Sequence, residues 1–303
     1  MGVGAVINTM WKWILGAAVF CGAAGIVRSE YEKRHFSVEE FEIVSGKIKE
    51  EKAFVFLSDL HNQEFGKNNE KLLQAIDEVR PDMVIIGGDM MVTKKKKKRG
   101  EDVTKVTETA WEFIEKLAER YPVFYGNGNH EQRLERETEI YGNSYDSYIR
   151  NIEKAGVIYL SNENAEPYAD IAVAGVNIPE KYYKKRPKTA MKAEEIEKSL
   201  GKADSERFQI LLSHSPLYFE ACREWGADLT LSGHFHGGTI RLPWLGGVMT
   251  PQFQFFYPRC AGKFEEDGKW MIVSRGLGTH SIRIRFNNKP QVVVVRLKKE
   301  TIF

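Results

Sequence analysis

A chain of 303 residues in which 42% are apolar has ample material for a large core, which excludes an intrinsically disordered chain. A formal charge of +2 is close to neutral and implies no general affinity for nucleic acid. Three cysteines, Cys21, Cys222 and Cys260, are too few and too scattered for a disulfide framework or a zinc ribbon; the last two read as small buried hydrophobes.

The N-terminus comes first in chain order. Trp13 to Val27 is an unbroken run of apolar and glycine residues, and extended upstream to Val3 it approaches the ~20 residues that span a bilayer. Trp11, Lys12 and Trp13 at one end and Arg28 at the other have the chemistry of interfacial anchors. Residues 1–30 are therefore expected to be a single-pass anchor in the cell membrane, residues 31–50 a linker and entry, and residues 51–303 one domain. A cleaved signal peptide, processed near Ala23-Ala24-Gly25, and a buried core helix are the competing readings. The flanking charges, Arg28, Lys33 and Arg34 against Lys12, leave open the side of the membrane on which the domain lies.

Beyond the anchor, Ala53 to Ser58 reads as a buried strand. Leu72, Leu73, Ile76 and Val79 recur at helical spacing, and Pro81 ends that helix. Met83 to Ile86 is a second strand, Val103 to Arg120 a helix, and Val123 to Tyr125 a third strand. This β-α-β-α-β alternation predicts a parallel sheet with crossover helices. Ser144 to Ala155 is a further helix, and Ala193 to Leu200 a short one in the charged segment 179–205. Ile171 to Val176, Phe208 to Ser213, Leu229 to Ser232, Met271 to Arg275 and Gln291 to Leu297 read as strands.

Five polar pieces follow these strands: Asp59-Leu60-His61, Gly88-Asp89, Gly128-Asn129-His130-Glu131, His214, and Gly233-His234-Phe235-His236. Five of the chain's seven histidines lie in them. Each piece alone is weak, since Gly-Gly-Asp is a common turn and Gly-Asn-His-Glu can simply open a helix. Their placement together just past strand ends, where open α/β sheets build sites, points to a mixed N/O ligand set for divalent transition metals. His35 and His280 have no motif context and read as ordinary surface or core residues.

The order D-x-H, GD, GNH[DE], H, GHxH resembles the calcineurin-like metallophosphoesterase family over about residues 50 to 298. Gly233 to Pro243 and Ser274-Arg275-Gly276-Leu277-Gly278 are similar to its bacterial membrane-associated YkuE/YaeI-type subgroup, with Thr239 where that subgroup has Gln. The resemblance implies a four-layer α/β/β/α sandwich. It also implies two divalent metal ions (Mn, Fe, Zn or Co), one held by Asp59, His61 and His236 and the other by Asn129, His214 and His234, with Asp89 bridging. His130 would face the scissile group as the catalytic residue, while Glu131 reads as structural. Gly88-Asp89-Met90-Met91-Val92-Thr93 lacks the Asp and Arg of the protein Ser/Thr phosphatases and the Tyr ligand of purple acid phosphatases, which disfavours both.

The function these features imply is hydrolysis of phosphomono- or phosphodiesters by metal-activated hydroxide, at a membrane surface. A lipid-linked pyrophosphate of the UDP-diacylglucosamine type is among the candidate substrates, and no protein partner is inferred. The alternatives are a non-catalytic scaffold that keeps the fold for protein binding, and a nuclease of the same superfamily. Two features bear on substrate. Lys94 to Arg99 is a basic run that reads either as a solvated loop or as an attractor of anionic lipid. Leu242 to Tyr257 is rich in aromatic and aliphatic residues and reads as core hairpin, with a membrane-facing or acyl-binding lip as the alternative.

Overall fold

The computed structural model describes residues 3–96, 103, 105–184, 189–279 and 282–300. Its helices are α1 (Val3–Lys33), α2 (Glu70–Val79), α3 (Glu108–Ala118), α4 (Asn129–Arg136), α5 (Thr138–Tyr141), α6 (Ser144–Lys154), α7 (Ala193–Leu200) and α8 (Phe219–Trp225). The strands are β1 (Ser37–Ser45), β2 (Lys52–Leu57), β3 (Met83–Ile86), β4 (Val123–Gly126), β5 (Ile158–Leu160), β6 (Glu163–Tyr168) and β7 (Ile171–Gly175). They continue with β8 (Phe208–Leu212), β9 (Leu229–Ser232), β10 (Arg241–Leu242), β11 (Gly246–Gly247), β12 (Gly262–Glu266), β13 (Lys269–Val273) and β14 (Gln291–Lys299).

Twelve strands form two six-stranded sheets, ordered β1-β14-β2-β3-β4-β5 and β12-β13-β9-β8-β7-β6. β2 to β5 run parallel, as the strand–helix alternation requires, and β7, β8, β9 and β13 are parallel in the second sheet. Strand side chains alternate between faces, so a strand buried on both sides reads as a continuous apolar run. Phe54 and Phe56 of β2 point between the sheets, onto Val173, Ile210, Leu212 and Leu231. Val55 and Leu57 point the other way, onto Leu72 and Ile76 of α2 and Ile114 and Leu117 of α3. The second sheet is covered likewise by Ile196 and Leu200 of α7 and Cys222 and Trp225 of α8. The four layers are therefore α/β/β/α, and Cys222 and Cys260 are buried free thiols.

Several boundaries differ from the sequence expectation. Residues 37–45, within the stretch expected as linker, form β1, which pairs in parallel with β14 at the sheet edge. Its alternating glutamates mask the strand pattern because an edge strand buries little on either face. The helix expected from Val103 begins only at Glu108, after a turn at residues 105–107. The short, polar β6 and β12 have no apolar run to announce them.

Helix α1 has 31 residues, about 46 Å at 1.5 Å each, which exceeds a hydrocarbon core of about 30 Å. Its segment Met10–Lys33 is long and apolar enough to cross a membrane, and none of residues 10–28, its apolar part, is buried in the protein, which removes the core-helix reading. The stretch Leu242 to Tyr257 is not core hairpin: Leu242, Trp244, Leu245, Phe253, Phe255 and Phe256 are all exposed. The two-residue strands β10 and β11 and a single antiparallel bridge between Met249 and Phe255 pair within it, too little surface to cover so many large side chains.

Candidate metal centre

All eight residues singled out from sequence meet at one place. Asp59 and His61 follow β2, Asp89 follows β3, Asn129 and His130 open α4 after β4, His214 follows β8, and His234 and His236 follow β9. Each is buried or at the buried margin. The loops are stitched together by their backbones: Asp59 N–H donates to Gly88 O (2.9 Å) and His61 N–H to Asp89 O (3.1 Å). Asp59, His61, Asp89, His234 and His236 all have φ between 49° and 64°. A non-glycine residue there costs on the order of 1–3 kcal/mol, strain that a fold tolerates where it aims side chains at a site. The motif glycines permit this approach: a Cβ on Gly88 would stand 2.1 Å from Gly128 N, and one on Gly128 would stand 2.2 Å from Asp89 Oδ1.

The ligating atoms converge in overlapping groups. Asp59, His61 and His236 offer three within 4.8 Å of one another, and Asp89, His214 and His234 offer three more. Asp89 Oδ2 lies 3.1 Å from His214 Nε2 and 3.9 Å from His61 Nε2, so it reaches both groups. Asn129 Oδ1 is buried beside them with no hydrogen-bond partner among the described residues. A third combination, His61, Asp89 and His130, is equally compact.

Hydrogen bonding separates His130 from the rest. The Nδ1 atoms of His61, His214 and His236 face the carbonyls of Met91 (3.3 Å), Gly87 (2.7 Å) and Gly278 (3.1 Å). A carbonyl only accepts, so these Nδ1 atoms carry protons, and in the neutral rings Nε2 presents a lone pair to the site. His130 is reversed: its Nδ1 accepts the N–H of Thr93 at 2.7 Å, so a neutral ring carries its proton on Nε2, 4.0 Å from Asp89 Oδ2. His61 Nε2 and His236 Nε2 stand 3.2 Å apart, an arrangement that a shared proton or a cation satisfies. The inward lone pairs, the two carboxylates and the orphaned amide oxygen together fit divalent metal ions.

Electrostatics agree. Burial pushes the Asp59 carboxyl up to about 6, helped by the charge of Asp89 and opposed by His214. Burial also disfavours charge on Asp89, but His214 and His130 outweigh it and hold the carboxyl well below its usual range. His214 is pushed down by burial but raised further by Asp89, to about 10. In the metal-free protein Asp89 and His214 thus form an ion pair, whose proton a metal must displace.

Three neighbours complete the site. Glu131 is fully buried beneath the cluster. Its carboxylate accepts the N–H groups of Asp89 (2.8 Å), Met90 (2.9 Å) and Gly128 (3.0 Å) and the Tyr125 hydroxyl (2.6 Å), locking two ligand loops together as the structural reading requires. Tyr183 is absent from the sequence reading because it lies in the charged segment 179–205. Its ring centroid is 5.1 Å from that of His234, and its hydroxyl is buried without a hydrogen-bond partner among the described residues. Lys94, Lys95 and Arg133 line a cleft of ≈ 490 Å³ over His130 and His234. On the His236 side a cavity of ≈ 230 Å³ is lined by Met249, Phe253, Ile282 and Ile284. Residues 97–99 of the basic run and His280 lie outside the described residues, and His35 stacks on Tyr31 at the end of α1, away from the cluster.

Comparison with known proteins gives a consistent result. Residues 52–238 match the calcineurin-like phosphoesterase family. A metallophosphoesterase of Bacillus subtilis, YkuE, is 35% identical over 104 residues, which are 34% of this chain and 36% of that protein. The phosphodiesterase YaeI of Escherichia coli is 25% identical over 250 residues, 80% of this chain and 81% of that one. The UDP-2,3-diacylglucosamine pyrophosphatase LpxG of Chlamydia trachomatis is 33% identical over 97 residues, 29% of this chain and 28% of that protein. With the four-layer fold, the buried His/Asp cluster and a family match across most of the domain, the chain belongs to the calcineurin-like phosphoesterases, a family of metal-dependent phosphoester hydrolases.

Proposed function

We propose that this chain hydrolyses phosphoesters with a two-ion centre and does so at the surface of the cell membrane, tethered by α1. Asp59, His61 and His236 would hold one ion, Asn129, His214 and His234 the other, and Asp89 would contact both. Mn, Fe, Zn and Co all suit this ligand mix. Two divalent ions, when bound, supply the charge that clamps a phosphoryl group and acidifies water for attack near neutral pH.

The observation that carries the chemical reading is the division of tautomers. Of the four imidazoles of the cluster whose Nδ1 partner is defined, three turn a lone pair inward and His130 turns an N–H inward. His130 is therefore assigned to donate a proton to the leaving oxygen or a hydrogen bond to the phosphoryl group, rather than to bind metal. The Tyr183 hydroxyl, buried with no partner among the described residues, is a second donor for a phosphoryl oxygen. Thr93 positions His130 through its backbone N–H, and its hydroxyl donates to His130 O (3.0 Å).

The membrane reading is supported by the surroundings of the cluster. A cleft with Lys94, Lys95 and Arg133 opens on one side and an apolar cavity on the other, a polarity split that suits an amphiphilic phosphoester. The exposed aromatic lip at 244–256 adds apolar surface beside the cavity. The UDP-2,3-diacylglucosamine for which the relative LpxG is named is an acylated pyrophosphate of this class.

The test uses the full-length protein in phospholipid nanodiscs with Mn²⁺, assayed on an aryl phosphomonoester, an aryl phosphodiester and a lipid-linked pyrophosphate. Bound metal without turnover of any of the three would falsify the hydrolase reading. Equal kcat/KM for soluble and lipid-linked diesters would leave the hydrolase and remove the membrane substrate.

A further inference from the structure

Helix α1 does not end where its apolar segment ends. Among its described residues only Ser29 and Glu32 are buried, and both face the segment 285–288. The Glu32 carboxylate accepts the backbone N–H groups of Asn287 (3.1 Å) and Asn288 (2.8 Å) and the Nε of Arg28 (2.7 Å). Ser29 Oγ accepts the N–H of Arg285 at 3.0 Å.

The same segment grips His236 from its other side. Asn288 Nδ2 donates to His236 O (2.7 Å) and to Thr239 O (3.1 Å). Arg285, fully buried, donates to Gly278 O at 2.7 Å, and Gly278 O is the acceptor for His236 Nδ1 at 3.1 Å. Two bonded paths therefore join the anchor helix to this imidazole: one through Asn288 to its backbone, one through Arg285 and Gly278 to its ring. The partner of a ligating imidazole's second nitrogen sets ring orientation and basicity. In the other group, His214 Nδ1 faces Gly87 O at 2.7 Å, in the loop after β3.

We propose that Ser29 and Glu32 are positioning residues for the metal subsite built on His236, so that the seating of the anchor helix sets the affinity of one ion of the pair. The proposal rests on the two-ion reading above but not on turnover. A buried carboxylate that satisfies two backbone N–H groups leaves both unpaired when it is removed, so the segment it holds must shift.

The experiment is a Mn²⁺ titration of the metal-stripped full-length protein in nanodiscs, read by calorimetry and by bound metal per chain. Glu32→Ala and Ser29→Ala are expected to weaken one ion by about 10–100-fold, the usual effect of losing a ligand's supporting partner, and to leave the other unchanged. Glu30→Gln, an exposed neighbour on the same turn, leaves both ions as in the wild type. If Glu32→Ala does not fold, Asn288→Ala cuts the path from the domain side and is expected to give the same one-ion loss. Equal weakening of both ions, or of neither, overturns the proposal, as does a wild-type chain that binds fewer than two. Two ions bound without phosphoester turnover would sink the hydrolase reading while leaving this one standing.

Discussion

The two halves of the sandwich end in loops of different chemistry. The loops after β2, β3 and β4 deliver Asp59, His61, Asp89, Asn129 and His130, a set rich in oxygen donors. Those after β8 and β9 deliver only imidazoles, His214, His234 and His236. Neither half holds a complete ligand set, and each proposed trio takes members from both. The two sheets meet through Phe54, Phe56, Ile210 and Leu231, so the packing of that apolar layer decides whether the donors can converge. Ion affinity in such a site reports on inter-sheet packing as much as on the ligands.

The largest expected break in this comparison comes from the one residue that reaches both groups. Asp89→Asn removes the shared negative charge, and kcat is expected to fall by about 10³-fold or more, with bound metal dropping in parallel. A variant that keeps both ions and most of its activity would remove Asp89 from the bridging position. Next in size is His130→Gln, expected to lower kcat by about 10²–10³-fold while two ions stay bound. Loss of an ion in that variant would instead make His130 a ligand and favour the compact His61–Asp89–His130 combination.

The His214 proton sharpens the comparison from the imidazole half. Its pKa in the metal-free protein is raised to about 10, so the ring is charged throughout the neutral range and must lose that proton to bind a metal. Affinity is thus greatest above the raised pKa and falls as pH drops below it, by about tenfold per unit for one displaced proton. Calorimetry in buffers of differing ionisation enthalpy should record at least one proton released per chain at pH 7. A binding enthalpy independent of the buffer contradicts the ion pair. The smallest effect is that of Tyr183→Phe, where loss of one hydrogen bond of about 1 kcal/mol lowers kcat/KM roughly fivefold at unchanged metal content. An unchanged kcat/KM would place that hydroxyl off the reaction path.

The parts of this architecture that depend on continuous apolar runs were legible from sequence. β2, β3, β4, β8 and β9 are buried on both faces, and the polar residues that interrupt them at Asp59, Asp89, Asn129, His214 and His234 are conspicuous for that reason. β1 was not legible, because Glu39, Glu40 and Glu42 break its apolar pattern and Ile43 alone among its residues is fully buried. The segment 242–257 misleads in the opposite direction: its composition is that of a core, yet Trp244, Phe255 and Phe256 are exposed. Apolar content alone does not distinguish an interior from an exposed binding face. Tyr183 and the Ser29, Glu32 and Asn288 contacts were out of reach for a third reason, since they join residues more than 50 positions apart with no shared pattern.

The strand order of the first sheet also has a temporal meaning. β14 lies between β1 and β2, parallel to one and antiparallel to the other, so two strands near the start of the domain have no partner between them until the last one arrives. At synthesis rates of about 5–20 residues per second, the ribosome needs roughly 12–50 s to travel from the end of α1 to the end of β14. Through that interval the apolar helix is already outside while β2 carries an open edge of Phe54, Val55 and Phe56. Nascent chains of this topology are therefore exposed to edge-to-edge pairing, and holding them apart on a surface, or covering that edge with a chaperone, protects them until β14 closes the gap.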